Sequence, residues 1–272
     1  YKYILNKFIF MKKLFIFLFI LLIISCSLES NKNKIGIVIH GGAGTILKEN
    51  MTPELENSYI IKLEEAVMAG YDILKNGGSS KDAVEQAIRV MEDSPLFNAG
   101  VGAVLTNDEK VSLDASFMDG KDLNAGAIAA SSFIKNPITA AIAVMDKSPH
   151  VLLSSKGADD FAIEMGIDTV PNSYFITERR LNSLRRLKNR NSVSYEDPFI
   201  KDSKFGTVGS VAIDINGNIS AGTSTGGTTN KIWGRVGDVP IIGAGNYANN
   251  ECCGISATGW GEHFCLLYTS DA

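Results

Sequence analysis

The chain has 272 residues, of which 45% are hydrophobic and 21% charged, and its formal net charge is −4. A chain of this length and hydrophobicity can bury a full core, which excludes a disordered or fibrous protein. The acidic balance gives no general reason to expect nucleic acid as a partner, because phosphate binding needs concentrated lysine and arginine. One basic cluster, within residues 179–190, is interpreted as a solvated helix end or linker and not as a binding patch.

The N-terminal segment has the pattern of a targeting signal. Two lysines follow Met11, an apolar run occupies residues 14–24, and Cys26 comes after it. This order resembles a bacterial lipoprotein signal with Cys26 as the lipidated residue, and the run is shorter than the roughly 20 residues of a membrane span. We expect residues 1–26 to be a signal segment that starts at Met11, and residues 27–34 a spacer. The protein would then lie in the bacterial cell envelope, lipid-anchored or periplasmic; an uncleaved membrane anchor is the alternative.

The first elements of the soluble part follow in chain order. Residues 35–39 are predicted as a buried strand, which leads directly into the glycine-rich segment 40–44. Apolar residues then recur with a helical period over residues 59–74 and 84–91. Two glycines end the first of these stretches, and two serines can cap the second. The sequence therefore predicts a strand followed by two helices.

The spacing of apolar residues changes in the middle of the chain. Short apolar runs broken by glycine and aspartate predict strands over residues 100–131, and a helix is predicted at about residues 157–165. The polar residues 171–206 lack apolar periodicity and are interpreted as an exposed linker.

A hairpin follows that linker. The residues Asp214 to Gly217 fit a type I turn between two β-prone runs. With Gly217 in the left-handed bulge position, Asp214 pairs with Asn218. The same register places Thr207 opposite Thr225 on one face of the hairpin, close enough for their hydroxyl groups to interact.

A threonine at the head of a strand can act as a nucleophile if the chain is cut before it. A hydroxyl group needs a base at neutral pH, and a cut before Thr207 would create an α-amine with a reference pKa of about 7.7–8.0. Gly206 permits the strained backbone that such a cut requires. Taken alone, however, Gly-Thr-x-Gly is typical of ordinary strand starts.

Further motifs accompany this one. They are Ile39-His40-Gly41-Gly42-Ala43-Gly44, Pro95-Leu96-Phe97-Asn98-Ala99-Gly100, Leu113-Asp114-Ala115, Met118-Asp119-Gly120, Ser148-Pro149-His150-Val151, Gly206-Thr207-Val208-Gly209, Thr223-Ser224-Thr225-Gly226-Gly227, Gly234-Arg235-Val236-Gly237-Asp238 and Ala257-Thr258-Gly259. Together they resemble the plant-type asparaginase and isoaspartyl peptidase family of N-terminal nucleophile hydrolases, over residues 35 to about 262.

The resemblance implies an α+β fold, a four-layer αββα sandwich made as a precursor that cuts itself between Gly206 and Thr207. Residues 35–206 would be the α chain and residues 207–272 the β chain. Family β chains continue past this point, so the β chain is expected to be incomplete and the sandwich truncated at its C-terminus.

The resemblance also assigns catalytic roles. It makes Thr207 the nucleophile, with its freed amine as base, and Thr225 the hydroxyl that orients and activates it. Thr258 and the backbone N–H of Gly259 match the oxyanion hole, and Asn98 matches a neighbour of the active site.

Other residues match the family's substrate clamp. Arg235 matches the group that binds the substrate α-carboxylate, while Asp238 and the Gly261 carbonyl match the site of its α-ammonium. Without the resemblance, Arg235 and Asp238 would be interpreted as a surface ion pair.

The resemblance implies no catalytic cofactor. It implies a structural sodium ion, bound in the loop of residues 91–101 mainly through backbone carbonyls, those of Glu92, Phe97, Ala99 and Val101. The implied substrates are small molecules, asparagine or β-aspartyl dipeptides, and the implied assembly is an α/β heterodimer that pairs into a dimer of heterodimers.

Two other functions are open at this point. Glycosylasparaginases share the Gly-Arg-Val-Gly-Asp segment but usually carry aspartate where this chain has Gly206. An uncleaved, inactive lipoprotein fragment that at most binds amino acids is the alternative from a different class.

A competing motif is rejected. Residues 222–226 satisfy the G-x-S-x-G pattern of α/β-hydrolases, with Ser224, Asp238 and His263 in triad order. That motif needs a helix directly after it, and the glycine-rich residues that follow cannot start one.

Overall fold

Six strands form the central sheet of the computed structural model, which describes residues 34–43, 51–189 and 206–270. The strands are β1 Gly36–His40, β2 Leu113–Asp119, β3 Ala125–Ser131, β4 Leu152–Ser154, β5 Val208–Ile213 and β6 Ile219–Thr225. Their order is β1-β5-β6-β2-β3-β4, antiparallel except for the β3–β4 pair. The signal segment and the lipidation at Cys26 that the sequence predicts lie outside the described residues.

Helices cover one face of this sheet. The helices are α1 Pro53–Lys75, α2 Ser80–Glu92, α3 Pro137–Lys147, α4 Ser155–Glu164, a 3₁₀ helix Asn172–Phe175, α5 Glu178–Lys188 and α6 Gly261–Ser270. Helices α1, α2 and α3 pack against the sheet, and their buried apolar residues form one core cluster with Val208 and Ala212 of β5. Within the described ranges no helix is long and apolar enough to cross a bilayer.

A second, two-stranded sheet packs on the opposite face. It consists of β7 Asn246–Asn249 and β8 Cys253–Ser256, and Ala248 packs there with Met118 and Ala221 of the central sheet. The expected α+β class is thus confirmed, with a helix layer, the central sheet and a second sheet in that order.

The early predicted elements are confirmed. The strand at residues 35–39 is β1, and the two helices are α1 and α2. Ser79 caps α2 by accepting a hydrogen bond from the backbone N–H of Asp82 at 3.1 Å. Helix α3 was not predicted, because its small apolar residues are buried almost all round and leave no amphipathic period.

The hairpin register is also confirmed. Asp214 N–H donates to the Asn218 carbonyl at 3.0 Å, and Gly217 has φ of +81°. The β5–β6 ladder pairs Val208 with Ser224 and, one step beyond it, brings Thr207 opposite Thr225.

The linker prediction is wrong for the part of residues 171–206 that the structure describes. This part contains the 3₁₀ helix and α5, and Phe175 and Leu184 are fully buried in a second core cluster with Leu105 and Leu113. The apolar residues are too few among the arginines to give a visible period, yet Ile176 and Leu181 also pack against this cluster. Residues 190–205 lie outside the described ranges.

The basic cluster on α5 is also not simply solvated. Arg179 Nη2 donates to the carbonyls of Pro95 and Leu96 at 3.0 and 2.8 Å, and Arg180 Nε donates to the Gly102 carbonyl at 2.6 Å. Burial lowers the pKa of Arg180 to about 10. These arginines fasten α5 to the loop that carries Asn98.

Candidate active site

Two threonine hydroxyls meet at the head of β5. Thr207 immediately precedes the strand and is 9% exposed, and its Oγ1 lies 3.3 Å from Oγ1 of Thr225, the last residue of β6. Thr225 Oγ1 also accepts a hydrogen bond from the backbone N–H of Gly227 at 3.1 Å. The predicted pair therefore forms, and the Gly227 bond fixes the orientation of the Thr225 hydroxyl.

The peptide bond before Thr207 lies in a tight position that suits only a glycine at residue 206. Gly206 has φ of +143°, a conformation that residues with a Cβ rarely adopt. A Cβ on Gly206 would collide with Cβ of Asn98, and a Cβ on Gly42 would collide with Cα of Gly206. The scissile bond that the sequence predicts is therefore held between the glycine segment after β1 and the loop that carries Asn98.

Asn98 connects this loop to the end of β6. Its side-chain amide donates to the Gly227 carbonyl at 2.8 Å and accepts from the backbone N–H of Val104 at 2.8 Å. Its own carbonyl accepts from the N–H of Gly226 at 3.1 Å, and the residue is 1% exposed. Asn98 thus lies between Gly206 and the residues that follow Thr225, and its part in the chemistry stays a prediction.

The residues predicted for the oxyanion hole follow β8. Thr258 Oγ1 accepts a hydrogen bond from the N–H of Ala43 at 3.1 Å, so its own proton is free to be donated elsewhere. Gly259 has φ of +150°, again a conformation that favours glycine. The Ala43 contact brings Thr258 to the same glycine segment that touches Gly206.

In the predicted substrate clamp, Arg235 forms its ion pair with Glu262 and not with Asp238. Arg235 binds Glu262 at the start of α6, with both Nε and Nη2 at 3.0 Å from Glu262 Oε1. Asp238 is 6% exposed, and its Oδ2 has no hydrogen-bond partner among the described residues. Burial raises the pKa of Asp238 to about 6, and the Arg235 charge partly opposes this.

Gly261 lies against both clamp residues. A Cβ on Gly261 would lie 2.6 Å from Asp238 Oδ1 and 2.9 Å from Arg235 Nη2. The three predicted clamp residues are therefore brought together. The sequence reasoning missed the role of Glu262, and its acidic side chain next to Gly261 was the only available signal.

A buried ion pair, which the sequence analysis did not predict, involves the loop that follows β6. Lys231 Nζ is 3.9 Å from Asp114 Oδ2 and donates to the Ser112 carbonyl at 2.9 Å, and both charged side chains are almost fully buried. Asp114 pairs with Thr225 in the β2–β6 ladder. Burial lowers the pKa of Lys231, although the Asp114 carboxylate opposes the effect. The pair connects the loop after β6, which carries Lys231, to strand β2 beside Thr225.

The chain's two tryptophans belong to the loops of this site. Trp233 lies between Lys231 and Arg235, is 96% exposed and has φ of +55°. Trp260 lies between Gly259 and Gly261, and its ring centroid is 5.9 Å from that of His263.

The loop predicted to bind sodium closes on itself. The Glu92 carbonyl accepts a hydrogen bond from the N–H of Val101 at 2.7 Å, and Gly100 has φ of +46°. The Glu92 side chain faces the core, where Oε1 accepts from the Ser224 hydroxyl at 2.6 Å, and burial raises its pKa to about 8. No cluster of metal-binding side chains occurs in the described ranges, so any ion here depends on carbonyl oxygens.

The same contact excludes the G-x-S-x-G alternative. Ser224 is fully buried and bonded to Glu92 on the helix side of β6, whereas Asp238 lies in the loop after β6 next to Gly261, and His263 is exposed. No helix follows β6 directly in the described chain, which runs from Thr225 into a long loop. A nucleophile elbow is therefore absent from this part of the structure.

Comparison with known proteins places this fold and site in the hydrolase class. The family model described as Asparaginase matches residues 33–270, and the chain belongs to that family. It is 46% identical over 231 residues to an isoaspartyl peptidase of Escherichia coli (strain K12), which covers 84% of this chain and 72% of the relative. It is 45% identical over 230 residues to an isoaspartyl peptidase/L-asparaginase of Homo sapiens, covering 85% and 72%. A putative isoaspartyl peptidase/L-asparaginase of Dictyostelium discoideum is 41% identical over 264 residues, covering 86% and 76%.

Proposed function

We propose that this chain is a self-cleaving amidohydrolase that hydrolyses L-asparagine to aspartate and ammonia, β-aspartyl dipeptides, or both, with Thr207 as N-terminal nucleophile. One observation carries the proposal: the Thr207 hydroxyl lies 3.3 Å from that of Thr225 and comes directly after Gly206, whose positive φ favours glycine. The names of the relatives, isoaspartyl peptidase and isoaspartyl peptidase/L-asparaginase, support this choice of substrates.

Self-cleavage is the first step. The Thr207 hydroxyl attacks the Gly206 carbonyl carbon, an ester replaces the peptide bond, and the Thr207 nitrogen becomes a free amine. Water then hydrolyses the ester, which leaves a carboxylate on Gly206 and restores the hydroxyl. The positive φ of Gly206 and the absence of a side chain there favour this step, because a Cβ at residue 206 would collide with Asn98 and displace the scissile bond.

Amide hydrolysis then uses the residue that has been freed. The amine of Thr207 accepts the proton from its own hydroxyl as the oxygen attacks the side-chain amide carbon of the substrate. The amine passes that proton to the departing ammonia or peptide amine, and water hydrolyses the resulting ester. Thr225, oriented by Gly227 N–H, keeps the nucleophile's oxygen in place through the 3.3 Å contact.

Charge on the carbonyl oxygen needs donors during both attacks. Thr258 accepts from Ala43 N–H and so has its own hydroxyl proton available, and Gly259 offers a backbone N–H. We assign these two groups to the oxyanion hole. Removing one such donor typically costs about 3–4 kcal/mol of transition-state stabilisation.

The substrate's zwitterionic head group fits the charges beyond the threonines. Arg235 already holds the carboxylate of Glu262 through two donors, which is the contact that a substrate α-carboxylate would make. Asp238 has an unpaired buried oxygen, and an α-ammonium would supply the missing partner. An asparaginyl and a β-aspartyl head group carry the same pair of charges, so the clamp accepts both.

Three further proposals concern the context of this site. The closed loop of residues 92–101 binds a structural sodium ion through backbone carbonyls and takes no part in the chemistry. The cleaved α and β chains stay together as a heterodimer and pair into a dimer of heterodimers. The protein is held at the cell envelope by a lipid on Cys26.

The deciding experiment is an intact-mass measurement under denaturing conditions on protein expressed from Ser27 onward, beside a Thr207→Ala variant. We expect two fragments that meet between Gly206 and Thr207 in the parent only. Ammonia release from asparagine and amino-acid release from β-aspartyl dipeptides should then follow the amount of cut protein. A folded parent with a single uncut mass would contradict the proposal and favour the inactive-fragment alternative.

A further inference from the structure

His40 is a half-buried histidine that the mechanism above does not use. It ends β1 and pairs with Gly209 of β5 in the sheet. Its Nδ1 lies 3.2 Å from the carbonyl oxygen of Thr207, and its Nε2 lies 2.8 Å from Oγ of Ser256 at the end of β8. The His40 ring thus contacts the proposed nucleophile, Thr207, through one nitrogen and the second sheet, at Ser256, through the other.

The partners of the two ring nitrogens favour one tautomer of His40. A carbonyl oxygen can only accept, so Nδ1 must be the protonated nitrogen that donates to Thr207. Burial lowers the pKa of His40, although the Thr207 bond opposes this, and the neutral ring then has a bare Nε2. The Ser256 hydroxyl has one proton and two acceptors, this nitrogen at 2.8 Å and the Gly222 carbonyl oxygen at 3.2 Å, and it donates to the nearer one in this arrangement. The opposite tautomer would bring a bare Nδ1 against the Thr207 carbonyl.

The ring is not enclosed by other side chains on every side. A cavity of about 300 Å³ adjoins it, with Val38, His40 and Ser256 in its lining. An imidazole with free space beside it can rotate unless both of its nitrogens are engaged.

The Thr207 carbonyl matters because Thr207 becomes a chain end. Strand β5 begins only at Val208, so Thr207 lies just beyond the last ladder pair of the strand. Once the Gly206–Thr207 bond is cut, the residue is held by its bond to Val208, by the Thr225 hydroxyl contact and by His40. New chain ends fray unless something fastens them, and a nucleophile misplaced by about 1 Å can cost about 100-fold in rate.

The other end of the His40 bridge lies next to the oxyanion segment. Ser256 precedes Thr258 by two residues, and Thr258 Oγ1 accepts from Ala43, three residues after His40. The end of β1 and the end of β8 are therefore joined twice, once through each pair. Through these contacts His40 connects the position of the nucleophile with that of the oxyanion donors.

Gly209 makes room for this bridge. A Cβ at residue 209 would collide with both Ser256 Oγ and His40 Nε2. This collision gives the second glycine of Gly206-Thr207-Val208-Gly209 a physical reason, since any side chain there would push the ring and the serine apart.

We propose that His40 is a positioning residue that holds the Thr207 carbonyl through Nδ1–H and is itself oriented by Ser256. The inference rests on the proposed function for its catalytic consequence but not for the contact itself.

The first test reads the tautomer and needs no activity. In uncut Thr207→Ala protein the carbonyl of residue 207 is still present, and nitrogen NMR can separate the ring signals of His40 from those of His150 and His263. We expect a proton on Nδ1 of His40 and a change at Nε2 when Ser256→Ala is added, while His150 is unaffected. A ring without a proton on Nδ1 would overturn the proposal, whether or not the parent is an active enzyme.

The second test separates the two bonds by kinetics. Asparagine at residue 40 can present an amide donor near the Nδ1 position, whereas glutamine presents one near Nε2. We expect His40→Asn to keep kcat within about fivefold of the parent, and His40→Gln to lose about 10- to 100-fold in kcat with KM changed less than about twofold. His150→Asn, at an exposed position, is the matched control.

All rates are counted per cleaved β chain, and folding is checked by thermal melting. Equal kcat in the two His40 variants, at similar melting temperatures, would refute the positioning role and leave a structural one. Failure of the proposed function has a different signature, because the parent itself would then neither cut nor hydrolyse.

Discussion

Replacement of Thr225 by valine tests the hydroxyl pair most directly, because valine keeps the shape and removes the oxygen. Two contacts are lost: the 3.3 Å contact with Thr207 and the acceptor for Gly227 N–H at 3.1 Å. Thr225 is 4% exposed, so water cannot easily replace either contact. Leaving the Gly227 donor unpaired should cost about 1–3 kcal/mol of stability. Losing the partner of the nucleophile should lower kcat by about 100-fold or more, equivalent to about 2.7 kcal/mol.

The matched control for this variant is Thr223→Val, on the same face of β6. Thr223 loses comparable bonds, to Ser116 Oγ at 3.1 Å and to the Val239 carbonyl at 3.4 Å, but does not contact Thr207. Self-cleavage is followed by intact mass and ammonia release is counted per cut chain. KM should stay within about twofold in both variants, since neither touches the clamp. If Thr225→Val kept kcat within threefold of Thr223→Val, the assigned role of the hydroxyl pair would be wrong.

Three further predictions concern the cut and the clamp. Gly206→Ala should slow self-cleavage, measured by intact mass, by about 30-fold or more, because positive φ costs a residue with a Cβ about 1–2 kcal/mol and this Cβ also meets Asn98. The control Gly166→Ala, at φ of +70° with open space around it, should cut normally in the same assay. Calorimetry on the cut protein should show L-aspartate binding about tenfold more tightly at pH 7 than at pH 5, because Asp238 ionises as the pH rises through its pKa of about 6. An equal increase in affinity in Asp238→Asn would assign the pH dependence to another group. In steady-state assays Glu262→Gln should lower KM by about 1.5- to 5-fold at unchanged kcat, because the partly exposed Glu262 carboxylate competes with the substrate for Arg235 by less than about 1 kcal/mol. A raised KM would show instead that Glu262 supports the clamp.

The parts of the site that local chemistry determines could be predicted. The turn at Asp214 to Gly217 allows one register, and that register alone brings Thr207 opposite Thr225. Strand β1 and helices α1 and α2 also follow from local periodicity and capping. The roles of Thr258 and Gly259 in catalysis came from resemblance and stay predictions.

The parts that depend on distant contacts could not be predicted. The bond between His40 and Thr207 joins residues 167 positions apart, and the bond between His40 and Ser256 joins residues 216 apart. No spacing in the sequence encodes either one. Arg235 shows the same limit: three residues from Asp238, it binds Glu262 instead, because the start of α6 brings that carboxylate to its guanidinium group.

Trp233 and Trp260 make up the entire tryptophan content of the chain, and both belong to the loops around the clamp. Tryptophan fluorescence, excited at the red edge of protein absorbance, therefore comes only from the loops around the clamp, with no background from the core. Trp233, almost completely in water, should emit at long wavelength, and a head group that draws the loop around Arg235 inward should shift its emission to the blue. The protein thus carries its own optical reporter for substrate capture, which can be read in a stopped-flow instrument before any bond is broken.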